Sequence, residues 1–173
     1  NLSAAAGALS AMVTIWIFAG KPDLGMTMNG CLAGLVAITA PCAVVTPAAS
    51  LAIGAIGGVI VVLGTLLLDK IRVDDPVGAF PVHGMNGIWG TLSVGLFATK
   101  DGLFYGGGWS QLGIQALGAF AVAGFVMVSM GLVFLTIKKT IGLRVNKEEE
   151  LRGLDICEHG MESYAGFQIF STT

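Results

Sequence analysis

The sequence predicts an all-α protein, a polytopic helical bundle that lies in a membrane. Hydrophobic residues make up 54% of the chain and charged residues 12%, and the mean hydropathy is +0.82. These values are too apolar for an ordinary soluble domain. The apolar residues come in long runs that also hold most of the 26 glycines, and small residues let helices pack closely in lipid.

Five apolar runs have the length that a membrane helix needs, which is roughly 20 residues. Pro41 lies within the second run and predicts a kink there. The predicted spans cover about residues 1–20, 26–45, 48–68, 77–98 and 111–137. Residues 1–139 then form a transmembrane region, and residues 140–173 form a polar tail. Because transporters are often built from inverted repeats and no repeat is evident here, we expect a further half that precedes this one.

The distribution of positive charge predicts how the spans are oriented. Eight of the nine Lys and Arg residues follow the first, third and fifth spans, and Lys100 alone lies on the other side. Lys and Arg concentrate on the cytoplasmic side of a membrane. The tail is therefore predicted to be cytosolic, in a multi-pass protein of the plasma or inner membrane.

His83 lies inside the fourth run, with no Asp, Glu, Lys or Arg between Asp75 and Lys100. An ionisable group at membrane depth is costly, so it usually faces a cavity or a substrate path. Desolvation disfavours the charged ring, and a neutral imidazole offers one donor and one acceptor to a small polar solute. The alternative is a histidine whose hydrogen bonds are satisfied by a neighbouring helix.

Polar residues near the ends of two spans have structural and functional interpretations. Asp74 and Asp75 precede Pro76 at the start of the fourth span, where a carboxylate can cap free backbone amides. The alternative role is a vestibule that attracts cations. Asn29, near the start of the second span, is interpreted as a cap or as a hydrogen-bond donor to a neighbour.

The tail carries its own helix signals. Asn146 followed by Glu149 is typical of a capping box, and Gly153 is a candidate C-cap. A short helix is therefore predicted, in a tail that is either solvated or docked as a regulatory segment. The three cysteines show no metal-ligand spacing and predict neither a disulfide framework nor a metal site.

Several separated motifs follow one another along the chain, and together they resemble those of the ammonium transporter (Amt/Mep/Rh) family. The resemblance covers nearly the whole sequence. The motifs that carry it are residues 29–40, residues 72–76, residues 82–84, and residues 142–145, 148–150, 153–155 and 158–160 of the tail.

The resemblance implies the ammonium transporter fold, with this chain as the second inverted-repeat half plus a final long helix. It implies that His83 is the second of two pore histidines, that Phe80 and Ala79 line the inner pore, and that Asp75 is an acidic residue at its cytoplasmic end. The first pore histidine and the external ammonium site are expected in the preceding half. Ammonia or ammonium is then the substrate, in a homotrimer with one pore in each subunit.

The resemblance also implies a regulatory tail, close to where a PII-type nitrogen regulatory protein docks. The tail residues matched to this region are Gly142, Arg144, Asp155, Cys157 and His159. Cys157 occupies the place of a phosphorylatable threonine of plant relatives, so that switch is expected to be absent. No cofactor, metal ion or nucleic-acid partner is expected.

Three other functions are considered. The first is an ammonium sensor, or transceptor, that signals through the cytosolic tail. The second is a membrane enzyme that uses His83 and Asp75, which is disfavoured because no nucleophile or metal cluster accompanies them. The third is a purely structural subunit of a bundle.

Overall fold

The chain folds into helices joined by short connections. A computed structural model describes residues 1–163, and within them there is no β-strand. The helices are α1 (Leu2–Ala19), α2 (Leu24–Thr39), α3 (Pro47–Lys70), a π-helical turn (Phe80–Met85), α4 (Asn86–Phe97), a 3₁₀ turn (Leu103–Tyr105), α5 (Ser110–Thr140), α6 (Lys147–Arg152) and α7 (Leu154–His159). The all-α prediction is confirmed.

Internal contacts divide the chain into two compact units, Asn1–Ala123 and Gly124–Thr173. The division falls within α5. This division reflects contacts within the chain, whereas the boundary predicted at residue 139 separates the transmembrane region from the tail. The predicted boundary therefore stays a prediction.

In the first unit, α1, α2 and α3 pack closely through small residues. A methyl group added at Gly7, Gly34 or Gly58 would overlap backbone atoms of a facing helix. The hydroxyl of Ser3, which is buried, donates to the carbonyl of Gly34 at 2.7 Å. The apolar core of this unit is formed by Ala11, Ile15, Ala33, Val61, Val62 and Val82. Such close backbone approach is typical of helices packed in lipid.

Within residues 1–163, three helices are long and apolar enough to cross a membrane, namely α1, α3 and α5. Their bounds agree within three residues with the first, third and fifth predicted spans. The second and fourth predicted spans correspond to shorter helices, α2 with 16 residues and α4 with 12 residues. A total of five membrane crossings therefore stays a prediction.

Helix α2 differs from its predicted span at both ends. It begins at Leu24, where the Asp23 side chain accepts from the backbone N–H of Met26 at 2.7 Å. It ends at Thr39, before Pro41, so the proline does not kink a longer helix as predicted. The physical reason is that Pro41 has no backbone N–H to donate and its ring crowds the carbonyl four residues before it.

The second unit contains the rest of α5 and the two tail helices, α6 and α7. The Asn146 side chain accepts from the N–H of Glu149 at 2.9 Å, and the Glu149 carboxylate accepts from the N–H of Asn146 at 3.2 Å. The predicted capping box and short helix are confirmed. Gly153, with a φ of 97°, ends α6 as predicted. Helix α7 begins at the next residue, which the sequence did not predict.

Candidate functional site

Asp75 starts the segment that carries His83. Its two carboxylate oxygens accept from the backbone N–H groups of Ala79 at 2.8 Å and Phe80 at 2.9 Å. These amides begin the helical run and have no partner inside it. The structure therefore gives Asp75 the capping role that the sequence predicts.

The helical run begins with a π-helical turn, Phe80–Met85, and continues into α4. Pro81 lies in the first positions of this turn and has no backbone N–H to donate. Turns of this kind are rare, occur mostly as single widened turns, and are frequent at functional sites. His83 lies in the middle of the turn.

The π-helical turn has one buried face and one uncovered face. Pro81 and Val82 are buried, whereas Ala79, Phe80 and His83 are exposed. The Phe80 ring, which is 54% exposed, lies close to Gly84, where an added methyl group would come within 2.6 Å of the ring. All three predicted pore residues therefore lie on the uncovered side of one turn.

The prediction that His83 faces a cavity or a substrate path stays a prediction, because residues 1–163 leave this side chain uncovered. The imidazole is exposed, and the alternative, a histidine satisfied by a neighbouring helix, finds no support in the hydrogen bonds of this ring. The reason is geometric, because the neighbouring helices pack against the opposite face of the turn, at Pro81 and Val82.

Asn29 connects α2 to the start of the His83 segment. Its side-chain Nδ2 donates to the carbonyl of Val77 at 3.1 Å. The predicted capping role at the start of α2 is wrong, because Asp23 caps that helix and Asn29 lies inside it. Its alternative role, a hydrogen bond to a neighbour, is confirmed.

An acidic cleft of about 520 Å³ lies beside this connection. The polar residues that line it are Asp23, Asn29, Thr65, Asp69 and Asp75. A second cleft of about 300 Å³ is lined by Asp69, Arg72, Asp74 and Asp75. Asp75 thus lines both clefts, together with Asn29 in the larger cleft and Asp74 in the smaller one.

The predicted tail residues lie in the second unit. Gly142 has a φ of 93°, and Arg144 lies two residues after it. Cys157 and His159 are exposed on α7. The Asp155 carboxylate accepts from the backbone N–H groups of Ser163 at 3.0 Å and Ile156 at 2.9 Å. These two hydrogen bonds, the Ser163 bond first, hold the pKa of Asp155 below its ordinary value.

Comparison with known proteins gives the chain its family. The sequence profile of the Ammonium Transporter Family matches residues 1–164. The chain belongs to the ammonium transporter family. This family is one of transporters, which are not enzymes, so the enzyme interpretation of His83 and Asp75 is set aside.

Relatives within the ammonium transporter family come from several kingdoms. The chain is 45% identical to Ammonium transporter Amt2 of Archaeoglobus fulgidus, over 96% of this chain and 38% of that protein. It is 39% identical to an ammonium transporter of Bacillus subtilis, over 95% of this chain and 42% of that protein. The chain spans about two fifths of the length of these relatives.

Solved structures of the same family share the fold. A structure named Sensor Amt Protein has a TM-score of 0.84 and 40% identity, covering 91% of this chain and 40% of that one. Mep2 of Saccharomyces cerevisiae has a TM-score of 0.77 and 26% identity, covering 86% of this chain and 36% of that one. The predicted ammonium transporter fold is confirmed for this part of the family.

Two residues of the site were not singled out from the sequence. Asn86 is fully buried, and its Nδ2 donates to the carbonyl of Pro81 at 2.9 Å. The indole Nε1 of Trp89 donates to the carbonyl of Ile53 in α3 at 3.0 Å. The signal for Asn86 was an amide inside an apolar run, five residues after a proline. Trp89 gave no comparable signal.

The described residues contain no group of three His, Cys, Asp or Glu side chains that could hold a metal ion. Cys31, Cys42 and Cys157 are free thiols.

Proposed function

We propose that this chain forms one wall of a pore that conducts ammonia or ammonium across a membrane, and that His83 lines the pore. The observation that supports this function is the position of His83 on the uncovered side of the π-helical turn, beside Ala79 and Phe80, in a member of the ammonium transporter family. The other wall then comes from the part of the relatives that this chain does not span.

The chemistry of the histidine suits an uncharged solute. Moving a bare ammonium ion into a medium of low dielectric costs on the order of 20 kcal/mol by an idealised Born estimate. Ammonia avoids most of this cost if the ion releases its proton before entering. A neutral imidazole can then donate one hydrogen bond to ammonia and accept another.

The larger, acidic cleft suits the end of such a pore. Three carboxylates, those of Asp23, Asp69 and Asp75, line the larger cleft. Clefts lined by charges of one sign raise the local concentration of the opposite ion. In this proposal Asp75 caps the His83 segment and, with Asp74 and Asn29, forms a vestibule in which ammonium collects.

Orientation, assembly and regulation complete the proposal. The excess of Lys and Arg after α1, α3 and α5 supports a cytosolic tail in a multi-pass protein of the cell membrane. The family resemblance supports a homotrimer and a PII-type partner on the cytosolic face. Gly142, Arg144, Asp155, Cys157 and His159 are the tail residues proposed to take part in regulation.

The test is uptake of methylammonium by vesicles that contain the complete transporter. His83→Ala removes the hydrogen-bonding ring, and we expect uptake to fall about tenfold or more, the effect of about 1.4 kcal/mol on a barrier. The matched control is Thr136→Ala, since Thr136 lies exposed on α5 and its hydroxyl donates to the Leu132 carbonyl of the same helix. Equal uptake by the His83 variant and the unchanged protein would contradict the proposal.

A second candidate function is an ammonium sensor, or transceptor. It is favoured by the similarity to the structure named Sensor Amt Protein. Of the two structures compared above, that one has the higher TM-score. Limited proteolysis of the tail, with and without ammonium, separates the two functions. A sensor changes the cleavage of residues 140–163 when ammonium binds, even in a variant whose uptake is lost.

A further inference from the structure

The side-chain amide of Asn86 is buried, and among the described residues only one of its two polar atoms has a hydrogen-bond partner. It is 0% exposed. Its Nδ2 donates to the carbonyl of Pro81, whereas its Oδ1 has no hydrogen-bond partner among the described residues. The Oδ1 atom faces α3 at Gly57, where an added methyl group would come within 2.8 Å of it.

Packing alone does not account for an asparagine at this position. A buried acceptor without a partner destabilises the fold, and an apolar side chain of similar shape would remove that cost. Leucine is such a side chain. The interaction that asparagine supplies and leucine lacks is the hydrogen bond to Pro81.

This hydrogen bond is made by the side chain of Asn86 and reaches a carbonyl five positions earlier. Five positions is also the spacing of backbone hydrogen bonds in a π-helix, whereas in an α-helix it is four. Relaxing the turn to α-helical spacing shifts the chain by one residue. Because one residue turns an α-helix by about 100°, His83 would then point in a different direction relative to α4.

We propose that Asn86 is a positioning residue that keeps residues 80–85 in the π-helical form and thereby directs His83 toward the uncovered face. The inference rests on the proposed function of His83. It adds a residue that does not touch the substrate and acts through the backbone at Pro81.

The direct test is a structure of the complete transporter with Asn86→Leu. We expect residues 80–85 to adopt α-helical hydrogen bonding and the His83 ring to turn away from its present direction. A π-helical turn that persists in the variant, with His83 in its present direction, overturns the inference.

The functional test is a double-mutant cycle in vesicles. Asn86→Leu should lower methylammonium uptake by about threefold to tenfold, the effect of one buried hydrogen bond. It should leave the thermal midpoint of the purified protein unchanged or raised. In a His83→Ala background the same substitution should have no further effect on uptake, because it acts through His83.

The cycle separates this inference from the proposed function. If Asn86→Leu lowers uptake by the same factor in both backgrounds, Asn86 does not act through His83, and the inference is wrong while the function of His83 stands. If His83→Ala alone leaves uptake unchanged, the proposed function is wrong, and the structure of the Asn86→Leu variant still decides what holds the turn.

Two further variants control for folding. Ser93 is also fully buried in α4, and its hydroxyl donates to the carbonyl of Trp89 at 2.8 Å. Ser93→Ala therefore removes a buried hydrogen bond outside the turn, and uptake should be unchanged. If Asn86→Leu does not assemble, Gly57→Ala displaces the same amide from the side of α3 and should give the same pattern in the cycle.

Discussion

Helix α3 and the segment from residue 77 to residue 97 are apolar runs of similar length, yet they fold differently. Helix α3 is a regular helix of 24 residues, with Pro47 in its first turn and the Thr46 side chain as its cap. The other segment also has a proline, Pro81, in the first positions of its helical run, yet it divides into a π-helical turn and α4. A proline near the start of a helical run is therefore compatible with both forms.

Both runs contain hydroxyls that donate to carbonyls of their own helix, such as those of Thr65 in α3 and Ser93 in α4. Both also have a side chain that accepts from their first amides, Thr46 for α3 and Asp75 for the interrupted segment. The interrupted segment differs in that a side chain of another helix, Asn29 of α2, donates to its Val77 carbonyl. Irregular backbone inside a membrane needs such side chains, because lipid cannot supply hydrogen bonds.

The largest effect is expected in α3. Gly58→Val places a branched side chain against the backbone of Gly7 and the hydroxyl of Ser10. We expect the free energy of unfolding of the complete transporter to fall by about 3 kcal/mol, or the protein not to assemble. Thermal unfolding in detergent measures the change.

The control lies in the interrupted segment, where an added methyl group at Gly87 meets no atom within 4 Å. Gly87→Ala should change the free energy of unfolding by less than about 1 kcal/mol. A Gly58→Val variant as stable as the Gly87→Ala variant would contradict the close packing of α1 and α3.

An intermediate effect is expected at Asp75. Asp75→Ala removes the acceptors of the Ala79 and Phe80 amides, and we expect the free energy of unfolding to fall by about 1–2 kcal/mol. Asp75→Asn keeps one acceptor oxygen, so its loss should be smaller. The measurement is the thermal midpoint of both variants, and an equal loss in both would argue against capping as the main role.

The smallest effect is expected at Asn29. Asn29→Leu leaves the Val77 carbonyl without its donor, and we expect a loss of about 0.5–1.5 kcal/mol in the free energy of unfolding. Thr27→Val is the matched control on α2, since the Thr27 hydroxyl donates only to the Asp23 carbonyl of its own helix, at 2.7 Å. If the two variants unfold at the same temperature, Asn29 does not hold the start of the His83 segment.

The sequence predicted those features that depend on composition or on residues close together in the chain. The all-α fold, the long helices α1, α3 and α5, and the capping box of Asn146 and Glu149 follow from such local signals. The capping role of Asp75 was predicted in the same way, because a carboxylate before a proline is a helix start signal.

Features that depend on hydrogen-bond spacing or on contacts between helices were not predicted. Counting apolar residues cannot distinguish α-helical from π-helical spacing, so the turn around His83 did not appear. Pro41 has the same local signal whether it kinks a helix or follows its end. Asn86 acquires its role from the spacing of this turn, and the sequence predicted a neighbour for Asn29 without identifying it as the Val77 carbonyl.

The connection after α2 has a consequence for motion in the first unit. The Val44 carbonyl accepts from both the backbone N–H and the hydroxyl of Thr99, at 2.9 and 3.2 Å, just beyond the end of α4. Asn29 joins α2 to the opposite end of the same segment, at Val77. Both ends of this stretch are thus hydrogen-bonded either to α2 or to the connection that follows it, so a displacement of the stretch away from α2 would have to break hydrogen bonds at both ends.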